Sequence, residues 1–368
     1  MVDSYTLSRI TRKALGDEKE EEKGRWGRPH FKDPSWMTRN INKHGKFCII
    51  AHWEVQSATP VFTQAGYEFL CSCSWKQSAA ATIYVPGTPP LFSPPALPKQ
   101  LKEDKGCYWV DQHGARVAKF QYEPMFQSLA MMNPTVRFND IDIVINRNTL
   151  QKLYKFSENK RCYKQYYIDL DMVGPTMFIS RRERHAKTRV FSGYGRSFEQ
   201  TFTAEDPILL HVEGHYRVVR YALGGLNIAV RMEVDGYYDI EADQSPPWSS
   251  PASPLPHPIK SPHEAPNELF RNILSAIGAS GDVIAHSNRS HTQVIAQGTL
   301  VPHSHTLELK CNKPKPGSVQ QIWFGRVPHL VYGTHHSGAI TALEEVHWTP
   351  SDGKTWAATH QVSLRKLA

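Results

Sequence analysis

The sequence predicts an α+β fold in which mixed β-sheets are flanked by helices. Short segments alternate apolar and polar residues with the period of two that is typical of half-buried strands. The clearest are Val230–Asp235 and Thr306–Lys310, and fewer segments place apolar residues at helical spacing. With 368 residues, 40% of them hydrophobic, the chain is long enough to bury the core of one large or two ordinary domains.

The composition changes along the chain and predicts its organisation. Residues 1–40 are polar and rich in charge, and are predicted to form a disordered arm. Residues 41–368 are predicted to form a single domain with a Pro/Ser-rich insertion at 243–266, which can pack neither as helix nor as sheet. A further proline-rich stretch at 86–98 is predicted to be extended.

From residue 141 onward, elements can be assigned in order. A strand at 141–145 leads into a helix at 149–156, for which an asparagine cap is predicted. A second helix is predicted to begin within 193–203, and a third is predicted at 267–277. Further strands are predicted at 166–172, 176–180, 216–221, 227–235, 282–286, 292–300, 304–310, 320–324 and 329–334.

The net charge of the chain and the absence of membrane-spanning and secretory signals limit the classes of function that the sequence predicts. A formal net charge of +8 suits a polyanionic partner such as RNA or DNA. No apolar run approaches the roughly 20 residues needed to span a bilayer, and the N-terminus has no apolar region typical of a secretory signal. We therefore expect an intracellular protein without a membrane partner, and favour the nucleus over the cytoplasm. Its six cysteines are then predicted to be reduced thiols.

The two clearest strands carry charged side chains at alternate positions. Residues i and i+2 of a strand point to the same side, so Glu233 projects with Asp235, and Glu308 with Lys310. Carboxylate oxygens suit Mg²⁺ or Mn²⁺, and two such ions can stabilise both the attacking and the leaving oxygen at phosphorus. Either strand alone is more often a solvated sheet face. The two together predict a metal-dependent phosphodiester nuclease.

Three more residues complete an ordered set. Arg147 follows the strand at 141–145, Glu199 ends the run Arg196-Ser197-Phe198-Glu199, and Gln321 precedes an apolar segment. The whole set resembles the motifs of the DXO family of RNA 5′-end decapping enzymes and exoribonucleases, which share a PD-(D/E)xK-like nuclease core. The matching segments are Asp142–Arg147, Arg196–Gln200, Glu233–Asp235, Glu308–Lys310 and Gln321–Pro328, within about residues 105–345.

The resemblance implies a set of metal ligands. Glu199, Asp235 and Glu308 would bind two Mg²⁺ or Mn²⁺ ions, and the Leu309 carbonyl would add a ligand. Glu233 would be catalytic, acting through water on the metal as a ligand or as a base.

Other positions would handle the substrate. Lys310 would orient or deprotonate the attacking water and stabilise charge on phosphate. Arg147 would hold a phosphate oxygen bidentately, and Gln321 would contact the nucleic-acid backbone. A basic run at 181–189 is also a candidate RNA path, although such runs are usually solvated faces.

The predicted activity is hydrolysis at RNA 5′ ends: removal of incomplete, triphosphate or NAD-type caps, with 5′→3′ exonuclease digestion as a further step. The chain departs from the family where Arg196-Ser197 replaces a tyrosine-containing pair. Three alternatives stay open: a catalytically weak scaffold for a nuclear exoribonuclease partner, a role known in the family; a PD-(D/E)xK DNA nuclease; and a nucleic-acid-binding module without chemistry.

Overall fold

A computed structural model describes residues 48, 50–57, 59–61, 66–160, 166–190, 192–239, 283–284 and 292–368. These residues belong to one compact unit, His44–Ala368. The predicted N-terminal arm, the Pro/Ser-rich insertion and the predicted helix at 267–277 lie outside the described residues. No helix in the described ranges is long and apolar enough to cross a membrane.

Groups of strands are interspersed with helices along the described chain. The strands are β1 (Glu68–Lys76), β2 (Thr82–Pro86), β3 (Leu91–Phe92), β4 (Lys99–Gln100), β5 (Gly106–Trp109), β6 (Ile143–Asn146), β7 (Tyr166–Val173), β8 (Thr176–Glu183), β9 (Lys187–Val190), β10 (Thr203–Ala204), β11 (Val212–Leu223), β12 (Leu226–Val234), β13 (Gly236–Tyr237), β14 (Val283–Ile284), β15 (Gln293–Gln297), β16 (Thr306–Lys310), β17 (His329–His336) and β18 (Ala339–His347). The helices are α1 (Gln112–Arg116), α2 (Glu123–Met132), α3 (Arg147–Ser157), α4 (Gly195–Phe202), α5 (Pro316–Gly325), α6 (Pro350–Thr359) and α7 (Gln361–Leu367). The predicted α+β class, with mixed sheets flanked by helices, is confirmed.

The larger sheet contains nine strands in the described part of the chain, in the order β14-β15-β2-β1-β11-β12-β6-β8-β7. Its central strand β12 pairs antiparallel with β11 and parallel with β6. Both faces of β12 are covered: Val230 and Met232 pack in one cluster with Tyr154 of α3 and Phe324 of α5, whereas Ala229 packs against α2. This covering explains why Ile228, Ala229 and Val230 form a continuous apolar run within β12.

The second sheet has the order β10-β3-β13-β16-β17-β18-β4 among the described residues. The chain leaves the first sheet at Val234, passes through Asp235 and enters the second sheet at Gly236. A Cβ atom at Gly236 would lie 2.9 Å from the Pro90 carbonyl oxygen, so glycine is required for this close passage. The acidic motif of β12 therefore lies where the two sheets are joined.

One predicted element has the wrong type. Residues 320–324 lie in helix α5 and not in a strand. The apolar run Ile322-Trp323-Phe324 resembles a strand because all three side chains are buried, but Pro316 at the first turn starts a helix. The unpredicted elements are the strands β2, β4, β5, β9, β10, β13 and β18 and the helices α1, α2, α6 and α7.

The predicted helix at 149–156 forms as α3 but begins two residues earlier, at Arg147, and its N-cap residue is Asn146. However, the Asn146 side chain makes no capping hydrogen bond. Its Oδ1 instead accepts a hydrogen bond from Nε of Arg231 on β12, at 2.8 Å. The side chain thus links two neighbouring strands, and α3 begins directly at Arg147 without an intervening loop.

Candidate active site

Strand pairing brings the two charged motifs together. Glu233 is the penultimate residue of β12, and Asp235 joins β12 to β13. Strand β13 pairs antiparallel with β16, with Gly236 opposite Leu307, so Asp235 lies beside the strand that carries Glu308 and Lys310. The site is therefore created by the passage of one chain segment from the first sheet to the second.

Lys310 links the two acidic motifs. Its ammonium donates hydrogen bonds to Oδ2 of Asp235 at 3.0 Å and to Oε2 of Glu308 at 3.1 Å. The Leu309 N–H also donates to Asp235 Oδ2, at 2.8 Å. The N–H and C=O groups of one strand residue face the same edge of the strand, so the Leu309 carbonyl faces the side of Asp235. The predicted pairing of Glu308 with Lys310 on one strand face is thereby observed.

Arg147 is buried inside the site. Its Nη1 donates to Glu308 Oε1 at 2.5 Å, and its Nη2 donates to the Glu233 carbonyl oxygen at 2.9 Å. A Cβ atom at Gly325 would lie 2.9 Å from Arg147 Nη1, so α5 approaches the guanidinium closely only because this residue is glycine. In this arrangement Arg147 positions Glu308 and the end of β12. The predicted phosphate contact by Arg147 would require these bonds to open.

Helix α4 brings Glu199 to the same region. Phe198 and Phe202 are fully buried in a cluster with Leu307 and Leu309 of β16, which holds the helix against the second sheet. The backbone N–H groups of Arg196 and Ser197 donate to the Asp104 carboxylate, at 3.0 and 2.9 Å. Asp104 is thus a cap supplied from outside the helix, and local sequence around α4 contains no signal for it.

Burial and mutual repulsion shift the protonation of the carboxylates. Burial raises the pKa of Glu199 well above its ordinary value, and the charge of Asp235 raises it further. Glu233 is exposed as a residue, but its carboxylate is crowded by protein atoms, and this loss of hydration, with the charge of Asp235, raises its pKa to about 7. Glu233 can therefore exchange a proton near neutral pH.

Lys310 responds in the opposite way to its surroundings. Burial alone would lower the pKa of Lys310, but the charges of Asp235, Glu308 and Glu199 outweigh burial and raise it. Lys310 therefore remains an ammonium ion. This state suits the predicted role of orienting water and stabilising negative charge, and disfavours the predicted alternative in which Lys310 removes a proton.

Two further predicted substrate-contacting regions lie on α5 and along β8 and β9. Gln321 is half-buried on α5, and its neighbour Gln320 is the buried amide, with an Oε1 atom that has no hydrogen-bond partner among the described residues. In the basic run at 181–189, two arginines are engaged by carboxylates, whereas Arg184, Lys187 and Arg189 are exposed. Arg181 is buried beside Glu183 at 3.2 Å, and Arg182 pairs with Asp169 at 2.7 Å. Neither guanidinium is presented to a long polyanion.

The donor chemistry of the site fits a hard divalent cation. Glu199, Glu233, Asp235 and Glu308 supply carboxylate oxygens, and the raised pKa values of two of them reflect crowding that a cation would relieve. Within the described ranges, no three Asp, Glu, His or Cys side chains already converge as a metal-binding group. Arg147 and Lys310 bond both oxygens of Glu308, and Lys310 also bonds Oδ2 of Asp235, so binding a cation at these oxygens would require the ion pairs to rearrange.

A model of the family described as "Domain of unknown function (DUF8563)" matches residues 47–368. The chain belongs to this family. No curated protein matches it. The match covers every residue of the site described above, so the site lies within the region that defines the family.

The chain is also similar to solved structures of Rai1 proteins. Rai1 of S. pombe is 13% identical, with 86% of this chain and 87% of that chain covered and a TM-score of 0.42. Scheffersomyces stipitis Rai1 in complex with (3′-NADP)⁺ and a calcium ion is 10% identical, with 85% and 84% covered and a TM-score of 0.46. Candida albicans Rai1 in complex with pU5-Mn²⁺ is 12% identical, with 84% and 85% covered and a TM-score of 0.38. At these identities and TM-scores the likeness assigns neither a family nor an activity to the chain.

Proposed function

We propose that this protein is a metal-dependent hydrolase of RNA 5′ ends, which removes incomplete, triphosphate or NAD-type caps and then digests the strand 5′→3′. The observation that carries the proposal is the cluster of Glu199, Glu233, Asp235 and Glu308 around one protonated lysine. Carboxylates repel phosphate unless a cation accompanies them, so a purely structural or RNA-binding role leaves this cluster unexplained.

Each residue of the cluster has a distinct task in the proposal. A divalent cation, Mg²⁺ or Mn²⁺, held by Glu199, Asp235 and Glu308 with the Leu309 carbonyl, would supply Lewis-acid stabilisation of charge at phosphorus. Glu233 removes the proton of the attacking water, since its pKa of about 7 suits a general base. Lys310 stabilises charge that develops on the phosphate oxygens. Arg147 keeps Glu308 and the end of β12 in position.

The test uses 5′-labelled RNAs that carry a triphosphate, an unmethylated cap, a methylated cap, an NAD cap or a monophosphate, each with Mg²⁺ or Mn²⁺. We expect metal-dependent release from at least one end, reduced about 100-fold or more in Glu233→Gln. Asp171→Asn is the matched control, because Asp171 is an exposed carboxylate on β7 outside the cluster. Cleavage of duplex DNA but of no RNA would instead assign the DNA nuclease alternative.

One observation favours a second candidate, the catalytically weak scaffold of an exoribonuclease. Arg147 and Lys310 already pair with Glu308 and Asp235, and no preformed three-ligand group exists in the described part of the chain. Titration of Mn²⁺ into the protein separates the two candidates. The hydrolase requires metal binding that Asp235→Asn abolishes, whereas a scaffold predicts neither metal binding nor turnover of any RNA end.

A further inference from the structure

An exposed arginine lies at the edge of the acidic site. Arg196 is the second residue of α4 and precedes Glu199 by three positions, so both side chains leave the helix on neighbouring parts of one face. The Arg196 side chain is exposed, and among the described residues no carboxylate forms an ion pair with it. Its charge is therefore available for a ligand from solution.

The guanidinium of Arg196 is held in place without using its N–H groups. Its Cζ atom lies 4.1 Å from the centre of the Tyr108 ring. That ring is itself fixed, because its hydroxyl donates a hydrogen bond to the Lys105 carbonyl oxygen at 2.9 Å and its strand β5 pairs with β9. A cation–π contact with a ring face uses none of the hydrogen bonds of the guanidinium, so its donors stay available.

The charge of Arg196 acts on the acidic residues. It lowers the pKa of Glu233, and does so more strongly than Arg147, although Arg147 is bonded to the Glu233 backbone. It also lowers the pKa of Glu199. A phosphate bound by Arg196 would therefore lie within one helical turn of Glu199.

The other two cations of the site are already engaged. Arg147 is 7% exposed and donates to Glu308 and Glu233, and Lys310 donates to Asp235 and Glu308. Binding a phosphate through either one would break a charged hydrogen bond. Arg196 needs no such exchange, because its donors have no protein acceptor in the described ranges.

We infer that Arg196, stacked on Tyr108, binds a backbone phosphate of single-stranded RNA at the mouth of the acidic site. This inference rests on the proposed function and gives Arg196 the phosphate contact that the sequence had assigned to Arg147. The planar fork of a guanidinium can hold two phosphate oxygens at once, which a lysine cannot. Arg196 thus positions the strand, and Glu233 and Lys310 act on it.

The experiment compares Arg196→Ala and Arg196→Lys with Arg137→Ala, which removes an exposed arginine near the 3-10 helix 138–140 instead. Binding of a 5′-phosphorylated RNA oligonucleotide is measured by fluorescence anisotropy in EDTA, where no cleavage occurs, over a series of salt concentrations. Turnover of the cleaved RNA end is measured with Mn²⁺.

We expect Arg196→Ala to weaken binding and raise KM about tenfold, to change kcat by less than about twofold, and to reduce the salt slope by about one. Arg196→Lys should recover the salt slope but only part of the affinity, since it restores charge without the fork. Tyr108→Ala should weaken binding as well, whereas Tyr108→Phe should not, because stacking does not need the hydroxyl.

Failure of this inference and failure of the proposed function differ in outcome. Normal RNA cleavage, with the KM and salt slope of Arg196→Ala equal to those of Arg137→Ala, would remove Arg196 from the substrate site and leave the hydrolase proposal intact. A fall in kcat at unchanged KM would also overturn the phosphate-binding role. RNA binding that depends on Arg196, without cleavage of any RNA, would keep the binding site and overturn the hydrolase.

Discussion

Two buried groups of charged and polar residues occupy this molecule, and they are stabilised in opposite ways. At the acidic site, Arg147 pairs with Glu308, and Lys310 bridges Glu308 to Asp235. In a second group, which we call the Arg217 cluster (Arg217, His215 and His303), a fully buried guanidinium lies beside two buried imidazoles. No carboxylate forms an ion pair with Arg217 among the described residues.

Hydrogen bonding in the Arg217 cluster is incomplete. Arg217 Nη2 donates to the Val301 carbonyl oxygen at 2.6 Å, but its Nε and Nη1, together with His215 Nε2 and His303 Nδ1, have no partner in the described part of the chain. Packing compensates in part, since the guanidinium stacks 4.5 Å from the centre of the Phe69 ring.

The two groups of residues therefore differ in what offsets the loss of hydration on burial. Opposite charges replace lost hydration at the acidic site, so its charges persist and can be exchanged for those of a ligand. In the Arg217 cluster burial lowers the pKa of His303 to about 3 and that of Arg217 to about 9, so the histidines stay neutral. A network of paired charges is suited to binding a ligand and to catalysis, whereas the unpaired Arg217 cluster is suited to packing in the core.

The largest expected effect comes from removing one partner of the paired network. Glu308→Ala leaves the buried Arg147 without its carboxylate, and should lower the free energy of unfolding by about 3–5 kcal/mol. Urea denaturation measures this change. The double variant Arg147→Met/Glu308→Leu should recover most of the loss, because it removes both buried charges. A loss of less than about 1 kcal/mol in Glu308→Ala would contradict the view that charge pairing holds this site together.

Divalent cations should stabilise only the acidic site. At 100 times the dissociation constant, a ligand that binds the folded state alone adds about 2.7 kcal/mol to the free energy of unfolding. We expect Mn²⁺ to raise the thermal midpoint of the wild-type protein and of Arg217→Met, but not that of Asp235→Asn. Calorimetry measures these midpoints. An equal rise of the midpoint in all three proteins would show that the metal binds elsewhere.

The sequence predicted the residues of the site better than their contacts. Period-two alternation identified β12 and β16, and the order of the charged motifs along the chain identified the group of residues that the fold brings together. The hydrogen bonds of Arg147 could not be predicted, because they depend on how β6, β12 and α5 pack. Arg196 was noted only as a departure from a motif, since its stacking partner Tyr108 lies on a strand that the sequence did not reveal.

The fold was predicted unevenly for similar reasons. Strands β7 and β8 were recognised because a turn separates two alternating runs, whereas α5 was mistaken for a strand because tertiary burial made its sequence uniformly apolar. Helix α6 begins with a capping box, in which Thr349 and Asp352 exchange hydrogen bonds. That signal is local and could have been read from the sequence.

The two groups should respond to pH in opposite directions when no divalent metal is present. Glu233 has a folded pKa of about 7, above its ordinary value of 4.5, so the folded state holds its proton longer and stability falls as pH rises from 4.5 to 7. His303 has a folded pKa of about 3, below 6.5, so stability is lost as pH falls from 6.5 towards 3.

Urea midpoints measured from pH 3 to pH 8 test this contrast. Glu233→Gln should reduce the loss on the alkaline side only, because the pKa of Glu199 is also raised. His303→Gln should reduce the loss on the acidic side only, because burial also lowers the pKa of His215, and Gln keeps a donor for the Gly325 carbonyl. If each variant shifted both limbs of the profile, the two groups would be coupled and not independent as the comparison requires.

The smallest effect is expected for Arg217→Met. This change removes the hydrogen bond that Arg217 donates to the Val301 carbonyl oxygen. The buried oxygen is left without a donor, at a cost of about 1–3 kcal/mol. It also removes a buried charge that has no carboxylate partner, which is favourable by a comparable amount when an apolar side chain of similar length fills the space. The free energy of unfolding should therefore change by less than about 1 kcal/mol, against the several kcal/mol expected for Glu308→Ala. A loss as large as that of Glu308→Ala would mean that the unpaired nitrogen atoms of the Arg217 cluster have hydrogen-bond partners in solution. A buried water molecule could be that partner, because it can accept a hydrogen bond from Arg217 and donate one to each imidazole.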